Sequence, residues 1–283
     1  KCMNNFIVRT LSAIVYAGLV ISSIFVQPAC FGGHPLLFGV LFMVLSVLAV
    51  REFHSLLGSS VKLQTYAMMG SALQFATLYF LFVGDIVWRA LLVGYIAIMA
   101  FALIIQLFDE KQNAIHAWGN LCASQIMVAL PFAMMTGVMV HSQWLMFAIF
   151  ILLWVNDSAA YIVGSLMAKR KGGNHKMFPR VSPAKSWEGL IGGFIVDLIA
   201  GYVFYRIGWT ADMGLVNSLL LALSAGIFGT LGDLMESLLK RTIGVKDSGK
   251  FMPGHGGVLD RFDSLLLAVP VVYFFFVYLP TIL

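Results

Sequence analysis

The chain has 283 residues, of which 60% are hydrophobic and 11% charged, and its mean hydropathy is +0.91. Ordinary globular domains carry about 25% charged residues, so the composition excludes a water-soluble domain and predicts an all-α fold, a polytopic membrane helical bundle. The formal net charge of +5 matters less than its distribution, because Lys and Arg gather in short cytoplasmic loops.

A bilayer core takes about 20 apolar residues per helical span. Nine such runs follow one another, centred near Ala17, Val44, Leu73, Ala97, Ala129, Phe150, Phe194, Ala222 and Tyr273. Little chain remains for a soluble domain, and a single membrane-embedded domain over 1–283 is expected. The first run, Phe6 to Val26, is too long for a signal peptide, carries Arg9 near its start and lacks a small-residue cleavage site, so it is read as a retained span. Threading nine spans from a cytoplasmic N-terminus puts Lys1, Arg9, Arg51, Lys62, Lys111, the cluster from Lys169 to Lys185 and the stretch from Lys240 to Arg261 on one side, with Arg89 and Arg206 on the other. The C-terminus is then external. Cys2, Cys30 and Cys122 lack metal or CxxC spacing and are expected to be packing residues.

Residues 1–143 read as scaffold spans, with ionisable groups confined to helix ends and loops. From 144 to 283 polar groups enter the spans: Asn156 and Asp157 in VNDSAAYIVG, Asp197 in GGFIVDLIAGY, and Asp233 and Glu236 in GTLGDLMESLLKR. A carboxylate inside a span is costly and usually faces a bundle interior or watery cavity. Asp233, Glu236 and Lys240 fall at i, i+3 and i+7, on one helical face flanked by Ser237 and Arg241. Asp260 and Asp263, three apart, share a face at the start of the ninth span. Asn156 and Asp157 need partners and are assigned to the cavity wall; for Asp197, a structural hydrogen bond and a place in the cavity are equal readings.

Between the two polar stripes runs KDSGKFMPGHGGVLDRFDS, Lys246 to Ser264. A glycine-rich turn beside a helix start lets backbone N–H groups approach phosphate. Alone it is a weak signal, and a flexible connection is the bland reading. Its neighbours strengthen it: Lys240, Arg241, Lys246, Lys250 and Arg261 offer anion partners, and Asp233, Asp247, Asp260 and Asp263 offer hard oxygen ligands. Magnesium is held by one or two carboxylates plus substrate phosphates, and Asp233 and Asp260 can supply that pair from two helices.

The run SLLKRTIGVKDSGKFMPGHGGVLDRFD, Ser237 to Asp263, resembles the signature of phosphatidate cytidylyltransferases, also called CDP-diacylglycerol synthases. Ser, Lys-Arg, Lys-Asp, His-Gly-Gly and Asp-Arg-x-Asp recur at fixed separations, which makes the likeness specific. Met252 stands where the family usually has Ile or Leu, a volume-conserving change. VNDSAAYIVG and SPAKSWEG resemble further family motifs, so the likeness covers the C-terminal half. The resemblance implies transfer of a cytidylyl group from CTP to phosphatidic acid, forming CDP-diacylglycerol and pyrophosphate in phospholipid biosynthesis with a divalent metal, Mg²⁺, at Asp233 and Asp260. Lys240, Arg241, Lys246 and Asp247 join these two as catalytic residues. Asn156, Asp157, Ser182, Lys185, Ser186, Glu188, Ser237, His255, Gly256, Gly257, Arg261 and Asp263 are the expected substrate-binding set. CTP, phosphatidic acid and membrane lipids are the expected partners, a homodimer is what the family suggests, and no nucleic acid is expected. The expected location is the bacterial inner (cytoplasmic) membrane, with the active site facing the cytoplasm.

His34, His54, His116, His141 and His175 lack HxxxH spacing and are expected to be solvated. The basic loop KRKGGNHKMFPR serves topology by default. An ion-coupled transporter would explain Asp157, Asp197 and Asp233 but not the glycine-rich, basic segment. A CTP-dependent enzyme acting on a related lipid stays open, because headgroup and acyl-chain discrimination reside in pocket shape.

Overall fold

The structure, a computed structural model, describes residues 2–26, 34–109, 113–170, 172–249 and 256–282. Helices dominate: α1 (Cys2–Phe25), α2 (Leu36–Leu56), α3 (Val61–Val83), α4 (Trp88–Ile104), α5 (Ala114–Ser124), α6 (Leu130–His141), α7 (Gln143–Ala168), α8 (Trp187–Arg206), α9 (Gly214–Ile243), α10 (Leu259–Val272) and the short α11 (Leu279–Ile282). Each apolar run coincides with a helix or a helix pair. Among the described residues, eight helical segments are long and apolar enough to cross a membrane, and Ser12–Phe25 of α1 is a shorter apolar stretch. The chain is a polytopic helical membrane protein.

Local chemistry sets the helix limits. Ser60, Asn113, Ser142 and Ser186 each accept a hydrogen bond from a backbone N–H of the following first turn, satisfying donors that have no intrahelical partner. α9 ends where Gly244 turns left-handed at φ 80°. Two wide π-turns interrupt the helices, Gln125–Ala129 before Pro131 and Tyr273–Tyr278 before Pro280. Proline has no N–H for the carbonyl four residues back and its ring crowds that carbonyl, and a local widening of the turn relieves both.

The chain divides into two compact units, Lys1–Val140 with Asp247–Phe262, and His141–Lys246 with Asp263–Leu283. In the first, an aromatic cluster fills the core: Phe262 meets Phe42 edge-on at 5.8 Å, Phe132 at 5.1 Å and Tyr16 at 5.6 Å between ring centroids. A polar seam runs beside it. Ser46 and Ser71 hydroxyls lie 2.8 Å apart, joining α2 to α3. His54 is fully buried, with Nδ1 2.9 Å from Ser59 Oγ and Nε2 3.0 Å from Ser124 Oγ. The expectation of a solvated His54 is therefore corrected: two serines, Ser59 and Ser124 at the end of α5, close around it, whereas His34, His116, His141 and His175 are exposed. Cys122 also departs from expectation, since it lies exposed on α5 rather than packed; Cys30 lies outside the described residues.

In the second unit, α7, α8 and α9 pack through small residues. A Cβ at Gly189 would stand 2.7 Å from the Ala160 carbonyl, and one at Gly201 2.8 Å from the Ala222 Cβ, so these helices approach backbone to backbone. One strand pair, β1 (Lys176–Phe178) with β2 (Ser182–Ser186), forms an antiparallel hairpin between α7 and α8. The carboxylate of Glu188 closes its base, accepting from the His175 backbone N–H at 3.0 Å and meeting His175 Nδ1 at 2.6 Å. Asn174 Nδ2 donates to the Gly164 carbonyl at 2.9 Å, tying the hairpin to the end of α7.

Candidate active site

The second unit contains a cavity of about 290 Å³ lined by Asn156, Asp157, Ala160 and Tyr161 of α7, Met177 of β1, Ser182, Ala184, Lys185 and Ser186 of β2, Gly189 and Leu190 of α8, and Thr230 and Asp233 of α9. Three separate sequence motifs thus converge on one space. The hairpin makes this possible: β2 carries Lys185 over the cavity, and Ser186 at its end caps α8 through a 3.2 Å bond from the Gly189 N–H.

Across the cavity, Lys185 Nζ lies 2.6 Å from Asp233 Oδ2, and the Ser237 hydroxyl donates to Asp233 Oδ1 at 3.2 Å. The α9 stripe inferred from spacing is real, but its members have separate partners. Lys240 pairs with Glu236 one turn away, both buried. Arg241 donates from Nε to the Val181 carbonyl at 3.3 Å and from Nη1 to the Val245 carbonyl at 3.1 Å, so it braces the hairpin against the end of α9. Lys246 is exposed.

Beneath the cavity, Asn156 Nδ2 donates to Asp197 Oδ2, and both residues are buried. Of the two readings of Asp197, the structure shows the structural hydrogen bond. Gly226 makes room for it, since a Cβ there would stand 2.6 Å from Asn156 Nδ2 and run into the Asp197 carboxylate. Asp263 accepts from the Ser264 N–H at 2.6 Å and lies within electrostatic reach of Asp233, Glu236 and Asp157. Gly232 lets α9 and α10 cross there, because its Cβ would stand 2.5 Å from the Asp263 carbonyl.

The other half of the signature belongs to the first unit. Asp260 Oδ2 accepts from the Ser248 N–H at 2.9 Å and the Gly257 N–H at 2.8 Å. Gly256 has φ +81°, and a side chain there would also strike the Asp260 carboxylate. Asp247 and Arg261 are exposed. His255 lies outside the described residues.

Glu52, at the end of the second apolar run, carries no local sequence signal of a role, yet its carboxylate accepts from the Ser248 hydroxyl and the Val258 and Leu259 N–H groups. Beside Arg51 and His54 it looks like a solvated helix end.

Asp233 offers one carboxylate, met by Lys185 Nζ at 2.6 Å and by the Ser237 hydroxyl at 3.2 Å. Among the described residues no three His, Cys, Asp or Glu side chains form a ligating group, but magnesium needs only one or two carboxylates when phosphates complete its coordination.

A relative from Haemophilus influenzae named phosphatidate cytidylyltransferase is 43% identical over 139 residues, covering 48% of this chain and 46% of the relative. Relatives of the same name from Bacillus subtilis and Staphylococcus aureus are 44% and 43% identical over 124 residues, each covering 44% of this chain and 44% and 45% of their own length. The matched stretches span about half the length of these curated relatives. A model of the Cytidylyltransferase family extends much further, from residue 7 to residue 279, through both units and every helix that frames the cavity. The chain belongs to the Cytidylyltransferase family.

Proposed function

We propose that this chain transfers the cytidylyl group of CTP to phosphatidic acid. The observation that carries the proposal is the cavity itself, where a lysine on a polar hairpin faces a carboxylate inside an apolar helical bundle. Such a place can receive a water-soluble polyanion and a membrane-anchored one together. The name shared by the relatives agrees with it.

In the reaction, a phosphate oxygen of phosphatidic acid attacks the α-phosphorus of CTP. The bond from that phosphorus to the bridging oxygen breaks, and pyrophosphate leaves with the electron pair. The nucleophile is already ionised, so no general base is required. Lys185 exchanges its Asp233 partner for phosphate oxygens, offsetting the repulsion between the two substrates. Ser182 is placed on the same strand to donate to phosphate, while Ser186 is held by its cap. The resemblance assigns Mg²⁺ to Asp233 and Asp260; the Ser237 hydroxyl would orient the first carboxylate within the second unit, and two backbone N–H groups the second within the first unit. When bound, the ion supplies charge neutralisation at the phosphates. The Asn156–Asp197 pair holds α7 against α8 below the reacting groups and keeps the cavity floor closed.

The test is direct. Purified protein in detergent, given CTP, phosphatidic acid and Mg²⁺, should form CDP-diacylglycerol and pyrophosphate in equal amounts, and chelation should stop both. Pyrophosphate release without a lipid product would point to a different acceptor, and no turnover of CTP would overturn the proposal.

We further propose that the site faces the cytoplasm of a bacterial inner membrane, with the N-terminus inside and the C-terminus outside. The parity of the spans supports this: the end of α2 hydrogen-bonds the start of α10, so the spans between them return the chain to the same face. The basic loops mark that face as cytoplasmic. Cysteines introduced at exposed Asp247 and Asp212 should react with an impermeant thiol reagent from opposite sides, Asp247 only after the cells are opened. The reverse pattern would invert the orientation.

A further inference from the structure

α10 starts at Leu259 after Val258, whose apolar side chain offers no acceptor to the N–H groups of the first turn. The acceptors come from α2. Glu52 Oε1 takes the Val258 N–H at 3.0 Å, 206 positions away in sequence, and Oε2 takes the Leu259 N–H at 3.0 Å. Oε2 also accepts the Ser248 hydroxyl at 3.3 Å. Asp260 completes the clamp by accepting from Ser248 N–H and Gly257 N–H. Two carboxylates thus pin Ser248 and the residues just before α10 to each other.

The signature glycines serve this arrangement. A Cβ at Gly249 would stand 2.6 Å from Glu52 Oε1, and one at Gly257 would overlap Glu52 Oε2. Neighbouring residues hold the helix that carries Glu52: Phe53 is 4% exposed and His54 is fully buried in its serine network.

We propose that Glu52 is a positioning residue for the metal-dependent transfer described above, on which this inference rests. It fixes the start of α10 and the Ser248 backbone, and through these two donors it sets the direction of the Asp260 carboxylate. A carboxylate offers one oxygen to each of two consecutive N–H groups, and its negative charge is further favoured at the positive end of a helix.

Glu52→Gln keeps the size but turns an NH₂ donor towards backbone donors. In ligand-free protein in detergent, amide exchange in peptides covering 256–262 should accelerate by about tenfold or more, because a buried acceptor shared by three donors is lost. In the assay, the Mg²⁺ concentration for half-maximal turnover should rise about fivefold or more while the KM for phosphatidic acid stays unchanged, and Glu52→Asp should fall between Gln and wild type. A merely structural role would reduce the folded fraction and leave the Mg²⁺ requirement alone. If Glu52→Gln yields no monodisperse protein, Ser248→Ala removes only the hydroxyl contact and should move both readouts the same way, by two- to threefold or so. Unchanged exchange, or turnover lost with an unchanged Mg²⁺ requirement, overturns the inference while the proposed activity stands. A wild-type protein that does not turn over CTP overturns that activity and the catalytic part of this inference, and the exchange measurement then decides the anchoring separately.

Discussion

Asp233→Asn is expected to lower cytidylyl transfer by about two to three orders of magnitude in a protein that still folds, the scale seen when one preorganised electrostatic group is removed from an active site. The substitution is nearly isosteric. Its amide oxygen can still accept the Ser237 hydroxyl, now bonded to Oδ1 at 3.2 Å. What disappears is the negative charge 2.6 Å from Lys185 Nζ, and with it the proposed hold on the divalent ion. Lys185→Met removes the other member of the pair and should raise the CTP concentration required, because that side chain is assigned to phosphate rather than metal. Asp212→Asn is the control, since Asp212 is an exposed residue of the turn between α8 and α9. Turnover measured across a Mg²⁺ titration in the three variants separates the roles. Wild-type rates in Asp233→Asn would remove Asp233 from the site and leave the Lys185 pair as a packing feature of the hairpin.

Asn156→Ala should be the most destabilising single change in the second unit. Asn156 is 3% exposed and Asp197 fully buried, and the amide is the hydrogen-bond donor that reaches Asp197 Oδ2. Removing it strands a buried acid group, a change worth about 1–3 kcal/mol for a neutral partner and more for a charged one. At roughly 2–4 °C per kcal/mol for a chain of this size class, the unfolding midpoint in detergent should fall by about 5–10 °C. Substituting both partners, Asn156→Ala with Asp197→Ala, should recover part of that loss, because neither polar group is then left alone. Equal midpoints for wild type and Asn156→Ala would show that water reaches Asp197 and that the pair contributes no net stability.

The helices were legible for a simple reason. Each span is an almost unbroken apolar run bounded by loops with charges or caps, and a bilayer tolerates little else. The polar stripe of α9 was legible too, because residues at i, i+3 and i+7 share a face whatever surrounds the helix. The wide turns before Pro131 and Pro280 have no signal beyond the prolines themselves, which also fit an ordinary helix kink. The hairpin leaves no sequence signal: β1 has three residues and β2 five, and strands this short, with Pro183 in the second, carry little periodicity.

Partner choice was hidden. Spacing put Asp233, Glu236 and Lys240 on one face, but could not reveal that Lys240 turns to Glu236 while Asp233 is met by Lys185 from the hairpin. Likewise, His54 has the sequence context of a solvated helix end and becomes buried because Ser59 and Ser124 surround it. Glu52 is the sharpest case. Nothing local distinguishes it from an exposed carboxylate, and its role exists only because α2 and the start of α10 meet.

By itself, then, the sequence determined the class of protein, the set of helices and the motifs that carry the chemistry, since all three follow from local hydrophobicity and local spacing. The tertiary structure decided which lysine meets which carboxylate, which aspartate is sealed beneath the cavity and which distant glutamate caps α10. Those outcomes depend on contacts between segments far apart in the chain, where geometry, not residue type, selects the partner.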